Sequence, residues 1–135
     1  MARRNSYRGK FKMTKEQYLS AKYFSLRYNE WKLEYADLCD TSRAITYSDM
    51  PNGSMSTESP VELAAIRVEA IGSNIRLIEQ TAEEAAGGLY PYLLKAVTNE
   101  GITFNALKML EDIPCERDMY YRIRRKFYYL LSKKI

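Results

Sequence analysis

Arg117, Arg122, Arg124, Arg125 and Lys126 fall within ten residues near the C-terminal end, interleaved with Tyr120 and Tyr121 and followed by Tyr128 and Tyr129. Guanidinium groups donate in pairs to the O6/N7 edge of guanine or meet phosphate oxygens, while the paired tyrosines are also accounted for by surface packing. The chemistry on offer is recognition of a polyanion, not bond-making. The 135-residue chain has no histidine, which removes the usual general base and the Ser/His and Cys/His pairs. Its two cysteines, Cys39 and Cys115, have no zinc-ligand spacing and are expected as reduced thiols on apolar faces. Glu83-Glu84 and Glu111-Asp112 are adjacent carboxylates expected on solvated surface. Gly87-Gly88 is not followed by Lys-Ser/Thr, so it is not a phosphate-binding glycine loop. No catalysis, metal or cofactor is therefore expected.

A net charge of +4 conceals a strong asymmetry. Residues 1–15 hold six Lys/Arg and no acid, residues 119–135 hold six more and no acid, and everything between is net acidic. Two cationic ends around an acidic body suit a directional contact with nucleic acid. The bland alternative is that chain ends are often basic and merely solvated. An apolar share of 46% is enough for a core, and no apolar run approaches the ~18 residues of a membrane span. The basic start lacks the apolar segment of a secretory signal, so a cytoplasmic protein with no membrane partner is expected.

The elements that must position these residues are all helical, because no segment alternates apolar and polar for long enough to make a sheet. Residues 1–13 form an expected flexible basic arm. Thr14-Lys15-Glu16-Gln17 fits a capping box opening a long helix over 14–40, with Ala21, Phe24, Tyr28, Trp31, Tyr35 and Leu38 as its buried stripe. A polar loop over 41–59 contains Pro51-Asn52-Gly53. Ser59-Pro60-Val61-Glu62 opens a second long helix over 60–86, stopped by Gly87-Gly88. Val61, Ala65, Val68, Ile71, Ile75, Ile78, Ala82 and Ala85 give it a seam suited to packing on the first helix or on a second copy in a homodimer. Gly72 and Ser73 weaken it in the middle. Residues 89–135 are expected as a three-helix, helix-turn-helix unit: helices at 89–99 and from Phe104 to about Leu110, the second capped by Thr103, and a last helix at 116–131.

On a wheel of about 100° per residue, Met119, Tyr120, Ile123, Phe127, Leu130 and Leu131 share the face expected to pack. Arg117, Tyr121, Arg124, Arg125 and Tyr128 are expected to point away, with Asp118, Arg122 and Tyr129 at the edge. A helix in the major groove presents its first turns to base edges. Arg117, Asp118, Tyr121, Arg122 and Arg125 are thus the candidates for base or near-base contact. Arg124, Lys126, Lys133 and Lys134 are the candidates for phosphates, and Arg3, Arg4, Arg8, Lys10 and Lys12 for arm contacts. Cations at a helix C-terminus also complement its dipole, which alone would account for Lys133 and Lys134.

The stretch from Gly101 resembles the helix-turn-helix of sigma factor region four, and more closely that of phage late-gene transcription regulators of the RinA/ArpU type. The resemblance rests on Asp49-Met50-Pro51-Asn52-Gly53, Pro60-Val61-Glu62-Leu63-Ala64-Ala65-Ile66, Tyr92-Leu93-Leu94-Lys95-Ala96-Val97-Thr98, Gly101, Ile113-Pro114-Cys115, Arg117-Asp118-Met119-Tyr120-Tyr121 and Arg124-Arg125-Lys126-Phe127. It covers roughly residues 45–131. It implies a phage or prophage regulator that binds double-stranded DNA in a bacterial cell and acts on transcription, with RNA polymerase as a further partner. Two rivals stand beside it: a small terminase-like DNA-packaging protein, which would form a large ring, and a helical inhibitor that binds a host protein through the acidic middle.

Overall fold

A computed structural model describes the backbone at residues 11–48 and 60–135. Regular structure among these residues is entirely helical: α1 (Lys15–Leu26), α2 (Tyr28–Ser48), α3 (Pro60–Ala86), one 3-10 turn (Gly87–Leu89), α4 (Tyr90–Val97), α5 (Phe104–Glu111) and α6 (Arg117–Lys134). The capping chemistry sets most of the ends. Thr14 Oγ1 accepts from the Gln17 amide at 3.0 Å and Gln17 Oε1 accepts from the Thr14 amide at 2.9 Å, so two donors left over at the start of α1 satisfy each other's residues. Thr103 Oγ1 accepts from the Ala106 amide at 3.2 Å and starts α5. Gly87, at φ +58°, ends α3 in the left-handed conformation that glycine adopts without a Cβ penalty.

Three boundaries differ from the sequence expectation. The single helix over 14–40 is two helices, broken at Arg27, whose amide bonds back only three residues to the Phe24 carbonyl at 3.2 Å. No proline or glycine marks that break. The second of the pair continues to Ser48, into the stretch expected as loop, and α6 runs three residues past the expected 131 to Lys134. Residues 49–59, with the turn at Pro51-Asn52-Gly53 and the cap at Ser59, lie outside the described residues, as do arm residues 1–10.

The described residues divide into two compact units, 11–28 with 77–135, and those lying between 29 and 76. In the first, α6 is the central element. It packs on α4 and, more extensively, on α1. Phe104, Leu107, Ile113, Tyr120 and Ala96 form one buried cluster, with Tyr92, Ile102, Cys115 and Tyr121 against it. Leu93, Phe127 and Leu131 are fully buried as well. Burying each such large apolar side chain contributes about 1.5–3 kcal/mol. Ser25, on α1 and fully buried, has Oγ 2.9 Å from the Lys22 carbonyl and 3.2 Å from the Val97 carbonyl, so its one proton is shared between its own helix and the end of α4. Tyr28 Oη donates to Glu79 Oε2 at 2.5 Å. Burial, then the Glu79 carboxylate, raises the Tyr28 pKa well above the usual phenol range.

In the second unit Trp31, Ala64 and Ile71 are buried, and Arg67 pairs with Glu34 at 2.5 Å on its surface. Gly72 has a specific reason to be small: a Cβ there would lie 3.1 Å from the Tyr35 ring. Along the seam, Ile71, Ile78, Ala82 and Ala85 are buried and Val68 and Ile75 half-buried, while Ala65 is exposed and Ala64 takes the inner position.

Candidate nucleic-acid interface

The basic helix α6 is held from both ends and from behind. At its start, the turn after α5 passes through Asp112 in the left-handed region at φ 51°, a conformation that aspartate tolerates better than most residues. Lys108 fixes that turn by donating from Nζ to the Ile113 carbonyl at 2.9 Å, and Ile113 itself is a fully buried plug. At its end, Lys134 Nζ donates to Glu84 Oε1 at 2.6 Å and to Thr81 Oγ1 at 3.2 Å on α3. Lys134, expected to meet phosphate, is thus engaged by the protein's own carboxylate.

The inward face of α6 is Tyr120, Ile123, Phe127, Tyr128 and Leu131. This corrects the helical-wheel reading in two ways. Tyr128, expected to point outward, is 3% exposed, and its ring meets the Tyr18 ring of α1 edge-on at 5.1 Å. Met119, expected inside, is 45% exposed. The burial of Tyr128 follows from α1, which packs on α6 and brings Tyr18 against that ring. Arg124 moves with Tyr128. It is half-buried, its Nη1 donates to Tyr120 Oη at 3.1 Å, and its guanidinium carbon lies 5.9 Å and 5.8 Å from the Tyr120 and Tyr128 ring centres. Burial works against its charge, but the two phenols more than offset that, and its pKa stays above the ordinary arginine value. Burial in turn raises the Tyr120 and Tyr128 pKa values, with Arg124 opposing.

The outward ridge runs instead through Asp118, Arg122, Lys126, Tyr129 and Lys133. Asp118, Arg122 and Lys133 are exposed, and Lys126 and Tyr129 half-buried. Lys133 lies 5.1 Å above the Tyr129 ring, and Phe11 packs on the same ring at 5.3 Å. Phe11 also helps line a shallow hollow with Met119, Arg122 and Lys126, so the chain just after the basic arm meets α6 on its cationic side. Arg117 is exposed but held over the Phe104 ring at 5.8 Å, with Nη2 donating to Asn105 Oδ1 at 3.1 Å. Tyr121 is half-buried against Tyr120, ring centres 4.8 Å apart. Of the arm candidates, Lys12 is exposed, and Arg3, Arg4, Arg8 and Lys10 fall outside the described residues.

A second feature joins α1 to α6. Met13, Tyr18, Tyr121, Arg124, Arg125 and Tyr128 line an open cleft of about 210 Å³. Sequence reasoning did not connect Met13 and Tyr18 with the basic helix. One signal was present: Tyr18 lies three residues before Ala21 and extends the α1 stripe by a turn. Among the described residues no group of three or more His, Cys, Asp and Glu could hold a metal ion, and no helix is long and apolar enough to cross a membrane. Cys39 and Cys115 are free thiols, both half-buried, and burial raises the Cys115 pKa despite Lys108 nearby. No family model, curated protein or solved structure matches the chain.

Proposed function

We propose that the protein is a DNA-binding transcriptional regulator that lays the outward ridge of α6 in the major groove of a duplex. The observation that carries this reading is the ridge itself: Asp118, Arg122 and Lys126 follow one another at four-residue spacing, with Lys133 further along, on a helix that buries Tyr120, Ile123, Phe127 and Leu131 on its other side. That geometry gives the first two turns to base edges and the later ones to phosphates. Asp118 can accept from cytosine N4 and Arg122 can donate twice to guanine. Arg117, braced by Asn105 and Phe104, sits at the groove end of the helix. The phage-regulator resemblance adds transcription as the process and RNA polymerase as a further partner.

The test is titration of the purified full chain with its preferred duplex and with random duplex at two salt concentrations. Arg122→Ala should weaken preferred-site binding by about 1–3 kcal/mol and lose much of the discrimination. Lys133→Ala should weaken both duplexes alike and reduce the salt slope by about one. Affinity that does not fall with salt would overturn the reading.

One observation favours a second reading, a helical protein-binding module. In the unit of residues 29–76, Leu33 is 72% exposed, Leu63 50% and Ile66 66%. A complex with a host protein that forms without any salt-dependent DNA affinity would select it. A large ring in solution would select the packaging protein instead.

A further inference from the structure

We propose that the cleft between α1 and α6 binds one nucleotide unit, its phosphate at Arg124 and Arg125 and its base against the tyrosines. Six side chains line the cleft, and their composition is specific: two guanidiniums, three phenols, one thioether and no carboxylate. Desolvated cations in proteins are ordinarily paired with acids, because leaving one uncompensated is costly. Here the half-buried Arg124 and Arg125 both line the cleft, and its other walls are phenols and a thioether. Stabilising the aromatic cluster accounts for Arg124, which bonds Tyr120 and lies over two rings. It does not account for Arg125. The Nε of that residue is shielded from solvent and meets no hydrogen-bond acceptor among the described residues, so no such bond locks the side chain away from an incoming anion.

The ligand class follows from the walls. Arginine offers phosphate a planar, bidentate fork. Phenol faces and edges accept a flat heteroaromatic ring, and base–aromatic contacts of this kind contribute about 1–3 kcal/mol per base. A volume of about 210 Å³ is room for a group larger than a single water. The unit can come from a free mononucleotide or from an unstacked residue of single-stranded nucleic acid. Neither source requires α6 to enter a duplex groove, so this site stands apart from the reading proposed above.

Calorimetric titration of the full chain with thymidine monophosphate, inorganic phosphate and a short oligothymidylate tests it. Saturable binding of the mononucleotide, about ten-fold tighter than phosphate, is expected. Arg125→Gln should weaken it about ten-fold or more, and Arg125→Lys should recover little, since an ammonium cannot form the fork. Among the described residues Arg125 Nε makes no hydrogen bond for the variants to break, and an unchanged melting temperature confirms that they fold. Oligothymidylate binding far tighter than the mononucleotide, and lost in Arg125→Gln, assigns the source to nucleic acid. Equal affinities assign it to the free nucleotide. Absence of mononucleotide binding, phosphate binding as tight as nucleotide, or undiminished affinity in Arg125→Gln would each overturn the site. Arg122→Ala separates the two proposals: it should weaken duplex binding and leave thymidine monophosphate binding as it was.

Discussion

The two units of this protein spend their apolar residues differently. Residues 11–28 and 77–135 close around aromatic rings, with Tyr120, Phe127, Leu93 and Leu131 wholly inside. Residues 29–76 bury Trp31, Ala64 and Ile71 but leave Leu33, Leu63 and Ile66 largely in solvent. The first arrangement fixes side chains in place, and it is there that the cations gather. Both leave apolar side chains in solvent, Met109 at 83% and Leu110 at 75% in the first as well as Leu33 in the second, so the packed aromatic rings are what set the first apart. A recognition helix needs the first kind of support, because a groove contact is lost when the helix can rock.

The largest effect should come from the closed unit. Phe127→Ala removes a fully buried ring beneath α6 and should destabilise by about 3–5 kcal/mol in urea unfolding, whereas Leu33→Ser, at an exposed site, should change stability by no more than about 0.5 kcal/mol. Comparable losses would erase the contrast between the units.

Tyr28→Phe comes next. It leaves the Glu79 carboxylate without its phenol donor and should cost about 1.5–3 kcal/mol at neutral pH. The pH dependence has a definite sign. The folded pKa of Tyr28 is raised, so the native state holds the phenolic proton more tightly than the unfolded chain does. That stabilisation is complete below the unfolded phenol value of about 10 and is lost as pH rises from there through the raised folded value. Urea midpoints measured from neutral to strongly alkaline pH should therefore fall less steeply for Tyr28→Phe than for the parent.

Smaller effects sharpen the picture. Ser25→Ala takes away a buried donor shared between the Lys22 and Val97 carbonyls and should cost about 1–2 kcal/mol, which thermal melting can follow. Lys134→Ala breaks a partly exposed pair with Glu84 and should cost less than about 1 kcal/mol. It should also alter duplex affinity less than Lys133→Ala, since Lys134 is turned to the protein and Lys133 is not.

The parts of the fold written in local chemistry were legible. Thr14 with Gln17, Thr103, and Gly87 each act within a few residues, and the helices begin or end where they stand. The break at Arg27 was not, because its neighbours carry no breaker residue. It falls at the junction of the two units, where tertiary packing and not propensity decides. The inner face of α6 was half legible for a related reason. Ile123, Phe127 and Leu131 declare themselves by being apolar, but Tyr128 and Arg124 are amphipathic and can face either way. Only a helix a hundred residues earlier in the chain settles which. The basic candidates separate accordingly into Arg122, Lys126 and Lys133 outside, Arg124 and Arg125 at the cleft, and Lys134 tied down.

Trp31, the sole tryptophan, lies buried in residues 29–76, while the unit built on α6 is rich in tyrosine. The molecule thus carries a separate optical reporter for each half. Selective indole excitation follows the one, and the near-ultraviolet circular dichroism of the packed phenols is weighted toward the other. Superimposable melting traces would show that the two units unfold together, and staggered traces that one of them outlasts the other.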